Sequence, residues 1–245
     1  MPEGHTIHRI AKDHTPLLAG QQVRVSSPQG RFAPDAALVD GVVLDRIEPY
    51  GKHLFYWWHN GLVGHVHLGL FGKFRVHKGD GVPEPLGQVR MRMTTDAGTI
   101  DLAGPTDCSI GSADERDAIV ARLGPDPLRR DAKPAVAKAR LQKSSQPIGQ
   151  LLLDQKVLAG VGNVYRAEAL FVNAIHPERP GRELVDAELD KVRFHPEPFK
   201  QIIADRLAQY RTLFDFEPVF VVNGRVPALS EMKRRGAKGL AMAVS

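Results

Sequence analysis

The sequence predicts an α+β protein with an N-terminal helix, an antiparallel β-sandwich and a helical second half. Three observations lead to this prediction. Apolar residues recur at helical spacing over residues 3–18, and short alternating segments separated by turn residues fill residues 23–103. From about residue 124 to about residue 214 the apolar spacing is helical again. Many short strands divided by turns are typical of a sandwich or barrel.

The first helix is predicted over residues 3–18, directly after Pro2. Its apolar positions are Ile7, Ile10, Ala11, Leu17 and Leu18. The positive end of the helix dipole disfavours a protonated amine at this point. We therefore expect the pKa of an amine at Pro2 to be lowered.

Strand patterns follow the first helix. They occupy residues 23–25, 38–48, 52–58, 62–68, 73–77, 88–95 and 98–103. In the sixth segment Val89, Met91 and Met93 alternate with Arg90 and Arg92. Many short strands separated by turn residues predict an antiparallel sandwich or barrel.

The second half carries helical patterns around a glycine-rich turn. One helix is predicted over 150–158 and a second over 164–172. Gly160 and Gly162 permit a tight turn between them, and Asn163 is expected to cap the second helix. A later helix is predicted over 198–210.

The last part of the chain changes character again. Residues 219–226 read as a β-hairpin with Asn-Gly at its turn, which is a strong hairpin signal. We expect a sandwich domain over 1–120, a helical domain over 121–215 and a divergent tail over 216–245.

Charge and cysteine content narrow the class of partner and the compartment. Residues 122–144 hold seven lysines and arginines against two aspartates. Such basic segments favour a polyanion as partner, nucleic acid first, and a solvated surface is the alternative.

Cys108 is the only cysteine, which excludes a disulfide or a cysteine zinc site within these 245 residues. Without a signal region or a stretch of about 18 apolar residues, we expect a cytoplasmic, nucleoid-associated protein without membrane contact.

The first three residues, Met1-Pro2-Glu3, carry possible chemistry. After loss of Met1, Pro2 would present a secondary amine that condenses with an aldehyde to a cationic iminium. Free α-amino groups titrate near roughly 8, so a substantial part is unprotonated at neutral pH. Most chains that begin with Met-Pro do not use the proline in catalysis. A catalytic role for Pro2 therefore depends on motifs elsewhere in the chain.

Four motifs occur together in the chain. They are the Pro-Glu-Gly start, Gly-Lys-His-Leu at 51–54, Leu-Gly-Pro-Asp-Pro-Leu at 123–128 and the Asp-Gln…Gly-Val-Gly-Asn turn within 154–163. In this combination the sequence resembles the formamidopyrimidine-DNA glycosylase/endonuclease VIII family over residues 1 to about 182. The opening Pro-Glu-Gly-His-Thr is more similar to the endonuclease VIII branch. The glycine-rich turn is similar to the helix–two-turns–helix element of the family.

The resemblance implies a bifunctional DNA glycosylase and AP lyase of base-excision repair, acting on oxidised bases, pyrimidines in this branch. Pro2 would attack C1′ of the damaged nucleotide, and Glu3 would move protons as general acid and base. The iminium acidifies the C2′ proton, so β-elimination followed by δ-elimination would leave a one-nucleotide gap. The implied partner is damaged double- or single-stranded DNA, bound by a monomer without cofactor or metal.

The same resemblance implies DNA-contacting roles for further residues. Lys52 would hold a phosphate beside the lesion, and Asn163 would contact a backbone phosphate at a helix N-terminus. Leu70 and Phe71 would fill the gap left by the extruded nucleotide. The alternatives are a solvated lysine, a plain helix cap and ordinary core packing at a strand end.

Two aromatic groupings invite other interpretations. His65 and His67 share a strand face near His53, but without cysteine or carboxylate partners we predict no metal site there. We expect Phe55 and the Trp57-Trp58 pair to be core residues rather than a platform for bases.

The chain also departs from the family it resembles. Thr6 stands where many members have a second glutamate, which puts the details of proton transfer in doubt. Most members end in a four-cysteine zinc finger that carries a phosphate-binding arginine, and the single cysteine excludes it here. The sequence after about residue 186 does not match the family. Either 216–230 form a zincless hairpin in which Arg225 replaces the missing arginine, or that DNA contact is lost.

Two other classes of function compete with the enzyme. One is a catalytically weakened damaged-DNA binding protein, which would bind DNA without forming a covalent adduct. The other is an RNA- or ribosome-binding module, which would have no need of an N-terminal imine-forming residue. Fold resemblance alone does not decide between these classes.

Overall fold

The computed structural model describes residues 2–79 and 81–191, with the side chain of Lys191 excepted. The predicted helix at 198–210, the predicted hairpin at 219–226 and Arg225 lie outside the described residues. Within the described residues, the helices are all too short or too polar to cross a membrane.

The first helix, α1, runs over Gly4–Leu18 as predicted. Ile7, Ala11, Leu17 and Leu18 are buried on one face, which confirms the apolar pattern. This face packs against the sheet, and Glu3 precedes the helix as its N-cap residue. The start of the chain is therefore anchored to the core by the helix that follows it.

Eight strands form one antiparallel sheet in the order β5-β7-β6-β1-β2-β3-β4-β8. Their bounds are Gln22–Ser26 (β1), Val42–Tyr50 (β2), His53–Trp58 (β3), Val63–His67 (β4), Lys73–Lys78 (β5), Val89–Thr95 (β6), Gly98–Ala103 (β7) and Asp107–Gly111 (β8). The first strand pairs with β2 through Gln22 and Val23, and with β6 through its last three residues. The first strand therefore joins the half that contains β5, β7 and β6 to the half that contains β2, β3, β4 and β8.

One hydrophobic core lies between the two halves of the sheet. It includes Leu54 and Tyr56 of β3 together with Met93 of β6 and Ile100 of β7, all at most 1% exposed. Because side chains from both halves share this core, the prediction of an antiparallel sandwich is confirmed. Part of the predicted segment 38–48 is not strand, since a short helix α2 (Ala33–Ala37) and a turn precede β2.

Helices fill the described chain after the sheet. They are α3 (Ala113–Ala121), α4 (Pro134–Gln142), α5 (Ile148–Leu151), α6 (Asn163–Val172), a 3₁₀ turn (Gly181–Glu183) and α7 (Asp186–Lys191). The sheet ends at Gly111 and α3 begins at Ala113. The domain boundaries near 120 and 215 stay predictions.

The predicted helix at 150–158 is wrong, because α5 ends at Leu151 and turns follow. Two side chains explain the early end. Asp154 Oδ1 accepts the N–H of Lys156 at 2.9 Å. Gln155 donates through Nε2 to the carbonyls of Leu153 and Val161 at 2.8 and 2.9 Å. Such local bonds compete with the helical ones and favour turns.

Candidate active site

Three glycines bring three separate elements into backbone contact. Gly4 begins α1, Gly51 forms the β2–β3 turn and Gly160 lies in the turn before α6. The Gly4 N–H donates to the Gly160 carbonyl at 2.8 Å. A Cβ on Gly4 would lie 3.0 Å from the Gly160 Cα, and a Cβ on Gly51 would lie 3.1 Å from the Gly160 nitrogen. Any side chain here would separate the backbones, and the φ of Gly160 (+93°) itself favours glycine.

Glu3 is buried at this junction and is 1% exposed. Its carboxylate accepts the backbone N–H groups of Gly162, Val164 and Tyr165 at 3.2, 2.9 and 3.2 Å. These are orphan donors at the start of α6, where the helix dipole also favours a negative charge. Glu3 therefore caps a helix that lies about 160 positions away in the sequence and fixes the N-terminus of the chain against it.

The expectation that Asn163 caps the second helix is wrong. Asn163 is the first residue of α6, Gly162 is the N-cap residue, and the cap is supplied by Glu3. A Cβ at Gly162 would lie 2.5 Å from the Glu3 carboxyl carbon, so only glycine leaves room for this carboxylate. Asn163 is half-buried beside Glu3 at the helix start.

Lys52 follows Gly51 and is half-buried. Burial lowers the pKa of the Lys52 ammonium, and the nearby Glu3 carboxylate partly opposes this shift. Lys52 lies at the same junction as Glu3, because the preceding Gly51 is packed against the backbone of Gly160. Pro2 is half-buried and adjoins Glu3 in the chain. The structure thus brings Pro2, Glu3, Lys52 and Asn163 together.

Two aromatic side chains lie close to the buried carboxylate. The rings of His5 and Tyr165 meet edge to face with centroids 4.8 Å apart. Burial, followed by the charge of Arg9, lowers the pKa of His5 to about 4, so this imidazole is neutral at pH 7. Burial and the Glu3 carboxylate raise the pKa of Tyr165 above its ordinary value. Neither residue was predicted from the sequence to belong to the site.

Leu70 and Phe71 lie on the β4–β5 loop, with exposed fractions of 59% and 80%. Core packing therefore does not account for them. The backbone carbonyl of Phe71 lies close to Gly104, which follows β7. An exposed apolar pair on a turn suits insertion into a partner better than support of the fold.

His53, His65 and His67 form a stacked group on β3 and β4. His53 Nδ1 and His65 Nε2 are 2.9 Å apart. Burial is the main cause that lowers the pKa of His53 to about 3, and it also lowers the pKa values of His65 and His67. Among residues 2–79 and 81–191, no group of histidine, cysteine and carboxylate side chains is arranged to hold a metal ion. Phe55 and Trp58 are buried, whereas Trp57 is half-buried.

One buried carboxylate near the junction was not predicted from the sequence to belong to the site. Asp126 is 1% exposed and contacts both α1 and the turn that carries Lys52. It belongs to the motif at 123–128, which is the signal in the sequence that points to it.

Family models match most of the chain. The formamidopyrimidine-DNA glycosylase N-terminal domain matches residues 1–105, and the H2TH domain of the same enzyme matches residues 123–205. Endonuclease 8 1 of Mycobacterium tuberculosis is 54% identical over 193 residues, covering 78% of this chain and 72% of the relative. Endonuclease 8 of Salmonella schwarzengrund is 31% identical, covering 78% and 74%.

Solved structures show the same fold. The MutM (Fpg) protein of Thermus thermophilus superposes with a TM-score of 0.65 at 28% identity, covering 86% of this chain and 77% of that one. The Lactococcus lactis Fpg in complex with DNA containing an abasic site gives a TM-score of 0.66 at 22% identity, covering 86% and 79%. The chain therefore belongs to the formamidopyrimidine-DNA glycosylase and endonuclease 8 family.

Proposed function

We propose that this protein is a bifunctional DNA glycosylase and AP lyase of base-excision repair that works through a Schiff base at Pro2. The members of its family are DNA glycosylases with AP-lyase activity. The observation that carries the proposal is the junction at the chain start, where α6 holds the buried Glu3 carboxylate next to Pro2 and the β2–β3 turn brings Lys52 to the same place.

The proposed chemistry follows from these positions. After loss of Met1, the Pro2 nitrogen attacks C1′, the bond from C1′ to the base breaks, and the base leaves with a proton. Ring opening gives an iminium, C1′=N⁺, which acidifies the C2′ hydrogen. Loss of that proton expels the 3′ phosphate, and loss of the C4′ proton in a second elimination expels the 5′ phosphate. Hydrolysis then releases the sugar fragment and restores the amine.

The proposed site residues, at the junction and elsewhere, each have a part in this reaction. Glu3 acts as the general acid and base toward the sugar. Three N–H groups hold its carboxylate in a fixed position for this role. Lys52 provides a cation for a phosphate next to the lesion, and Asn163 contacts another phosphate at the start of α6. Leu70 and Phe71 fill the space left by the extruded nucleotide. We also propose that Arg225, which lies outside the described residues, replaces the missing zinc-finger arginine as a phosphate contact.

We further propose that the substrates are oxidised pyrimidines in double- or single-stranded DNA, and that the protein acts as a cytoplasmic monomer without a metal. The choice of pyrimidines rests on the resemblance of the chain to the endonuclease VIII branch, and the 54% identity to endonuclease 8 1 of Mycobacterium tuberculosis supports that branch. Excision from duplexes with one oxidised thymine or one oxidised guanine tests it, and faster excision of the guanine lesion would contradict it.

Borohydride trapping tests the mechanism. The protein is mixed with an oligonucleotide carrying one abasic site, and the iminium is reduced to a stable adduct. We expect the parent to give an adduct and Pro2→Gly to give none, whereas Pro28→Gly, at an exposed turn proline, reacts like the parent. If the parent binds the DNA without forming an adduct, the proposed enzyme is refuted and a damaged-DNA binding protein is supported instead.

A further inference from the structure

We infer that Asp126 is a positioning residue that sets Lys52 relative to Pro2 and Glu3. The inference deepens the proposed function and rests on it, since Lys52 is the residue through which Asp126 would act. Asp126 would act through the elements that carry Pro2, Glu3 and Lys52, and not on the substrate itself.

The Asp126 carboxylate bridges two of the three elements of the junction. Its Oδ2 accepts the N–H of Gly51 at 2.7 Å and the Nε2–H of His8, on α1, at 2.8 Å. Its Oδ1 accepts the N–H of Leu128 at 2.9 Å, which fixes the orientation of the carboxylate. Lys52 directly follows Gly51, and α1 directly follows Pro2 and Glu3. The Asp126 carboxylate therefore links the turn that carries Lys52 to α1.

The residues just before Asp126 bind the remaining element. Gly124 N–H donates to the Gln155 carbonyl at 2.8 Å, and the Pro125 carbonyl accepts the N–H of Ala159 at 3.1 Å. The Gly124 carbonyl accepts the Tyr50 hydroxyl at 3.0 Å, on the other side of Gly51. Segment 124–126 therefore contacts α1, the β2–β3 turn and the turn before α6.

The chemistry of these contacts requires a carboxylate. Three donors point at Asp126, which is 1% exposed, so water cannot replace a lost acceptor. An asparagine side chain has only one acceptor oxygen. Its NH₂ group would therefore face at least one of the three N–H donors that now bind the carboxylate. The β2–β3 turn would then shift, and displacements of about 1 Å at a site of this kind cost up to about 100-fold in rate.

A double-mutant cycle with Lys52 tests the inference. The rate of borohydride-trapped adduct formation is measured in single turnover at saturating abasic DNA for the parent, Asp126→Asn, Lys52→Met and the double variant. We expect Asp126→Asn to slow the parent by about 10- to 100-fold but the Lys52→Met protein by less than about 3-fold. Equal slowing in both backgrounds would show a general structural role and overturn the inference.

Two further variants make the result decisive. Asp45→Asn removes a carboxylate from a histidine–aspartate pair on the exposed surface and should leave the rate unchanged. Tyr50→Phe removes only the hydroxyl that binds Gly124, and we expect a loss of about 3-fold or more that vanishes with Lys52→Met. This variant carries the test if Asp126→Asn fails to fold, and an additive effect again overturns the inference. A parent that gives no adduct would instead refute the proposed function.

Discussion

At the scale of single residues, Glu3 combines a structural and a chemical role. Its carboxylate is the cap of α6 and also the proposed acid and base beside Pro2. Three N–H donors keep it in one orientation, which a flexible surface glutamate would not maintain. The sequence indicated a carboxylate next to Pro2, but it did not indicate that this carboxylate binds the start of α6.

Replacement of Glu3 by glutamine is expected to impair both roles. The amide would present N–H groups to the donors of α6, which costs about 1–3 kcal/mol of unfolding free energy. Adduct formation with abasic DNA should fall at least about 100-fold, because general acid–base catalysis contributes that much. Urea denaturation and trapping rates measure the two effects.

The matched control is Glu115→Gln, which changes the exposed carboxylate of the capping box at α3. It should lower the unfolding free energy by less than about 1 kcal/mol and leave trapping unchanged. Full adduct formation by Glu3→Gln would contradict the role of Glu3 in proton transfer.

His14 makes stability depend on pH. It is 1% exposed in α1 and lies 2.9 Å, through Nδ1, from the Tyr56 hydroxyl. Burial lowers its pKa from 6.5 to about 4, with Asp13 opposing weakly. Between these values the unfolded chain binds the proton and the folded chain does not, so stability falls as the pH falls from about 6.5 to about 4.

We expect His14→Gln to flatten this pH dependence by roughly 2–3 kcal/mol between pH 7 and pH 4. Unfolding free energies from urea titrations at several pH values give the slope. The exposed His59→Gln variant should keep the slope of the parent. An unchanged slope in His14→Gln would show that this histidine is protonated in the folded protein.

At the scale of elements, local patterns were sufficient where regularly spaced apolar residues enter the core. The alternation of Val89, Met91 and Met93 predicted β6, and the spacing of Ile7 and Ala11 predicted α1. The helix over 150–158 failed because Asp154 and Gln155 form turn bonds that apolar spacing does not reveal. Strand β8 lacks a buried apolar alternation, so it gave no signal.

Helix α3 was also missed, although a local signal existed. Ser112 and Glu115 form a reciprocal capping box, which is a known start of a helix. No residue of α3 is buried, so there was no apolar stripe to support it.

The contact between elements at Gly160 is expected to be intolerant of a side chain. A Cβ there would lie 3.3 Å from the Cα atoms of both Gly4 and Gly51, on a backbone with φ +93°. Gly160→Ala should therefore displace the start of α1 and reduce the trapping rate by at least about 10-fold.

Gly61→Ala provides the matched control, because Gly61 also has a positive φ, +82°, but no neighbouring atom within 4 Å. It should cost about 1 kcal/mol of stability through backbone strain alone and leave trapping intact. Equal trapping rates in the two alanine variants would refute the requirement for close backbone contact.

The β4–β5 loop is expected to matter for base removal more than for lyase chemistry. A base paired in a duplex must be extruded, whereas an abasic site has no base to unstack. Leu70→Ala with Phe71→Ala should slow excision of an oxidised thymine from duplex DNA by about 10-fold or more and trapping on a single-stranded abasic oligonucleotide by less than about 3-fold.

Leu38→Ala is the control for this loop, since Leu38 is 52% exposed in a turn of the sandwich. It should leave both rates unchanged. Equal losses in excision and trapping for the loop variant would exclude a role specific to extrusion.

At the scale of the whole molecule, the site is assembled by contacts between distant parts of the chain. Glu3 reaches Val164 across 161 positions, and His8 reaches Asp126 across 118. Motifs and resemblance predicted Pro2, Glu3, Lys52 and Asn163, because each belongs to a recognisable local pattern. The positioning contacts of Asp126 depend on how the elements pack, and no local pattern encodes that packing.

The central claim is that the secondary amine of Pro2 forms the covalent intermediate. Peptide mass spectrometry of the borohydride-reduced adduct tests it most directly. We expect the added sugar mass on a peptide that begins at Pro2, with Met1 absent. A parent adduct located on a lysine such as Lys52, or an N-terminal peptide that retains Met1 in the adduct, would contradict the account.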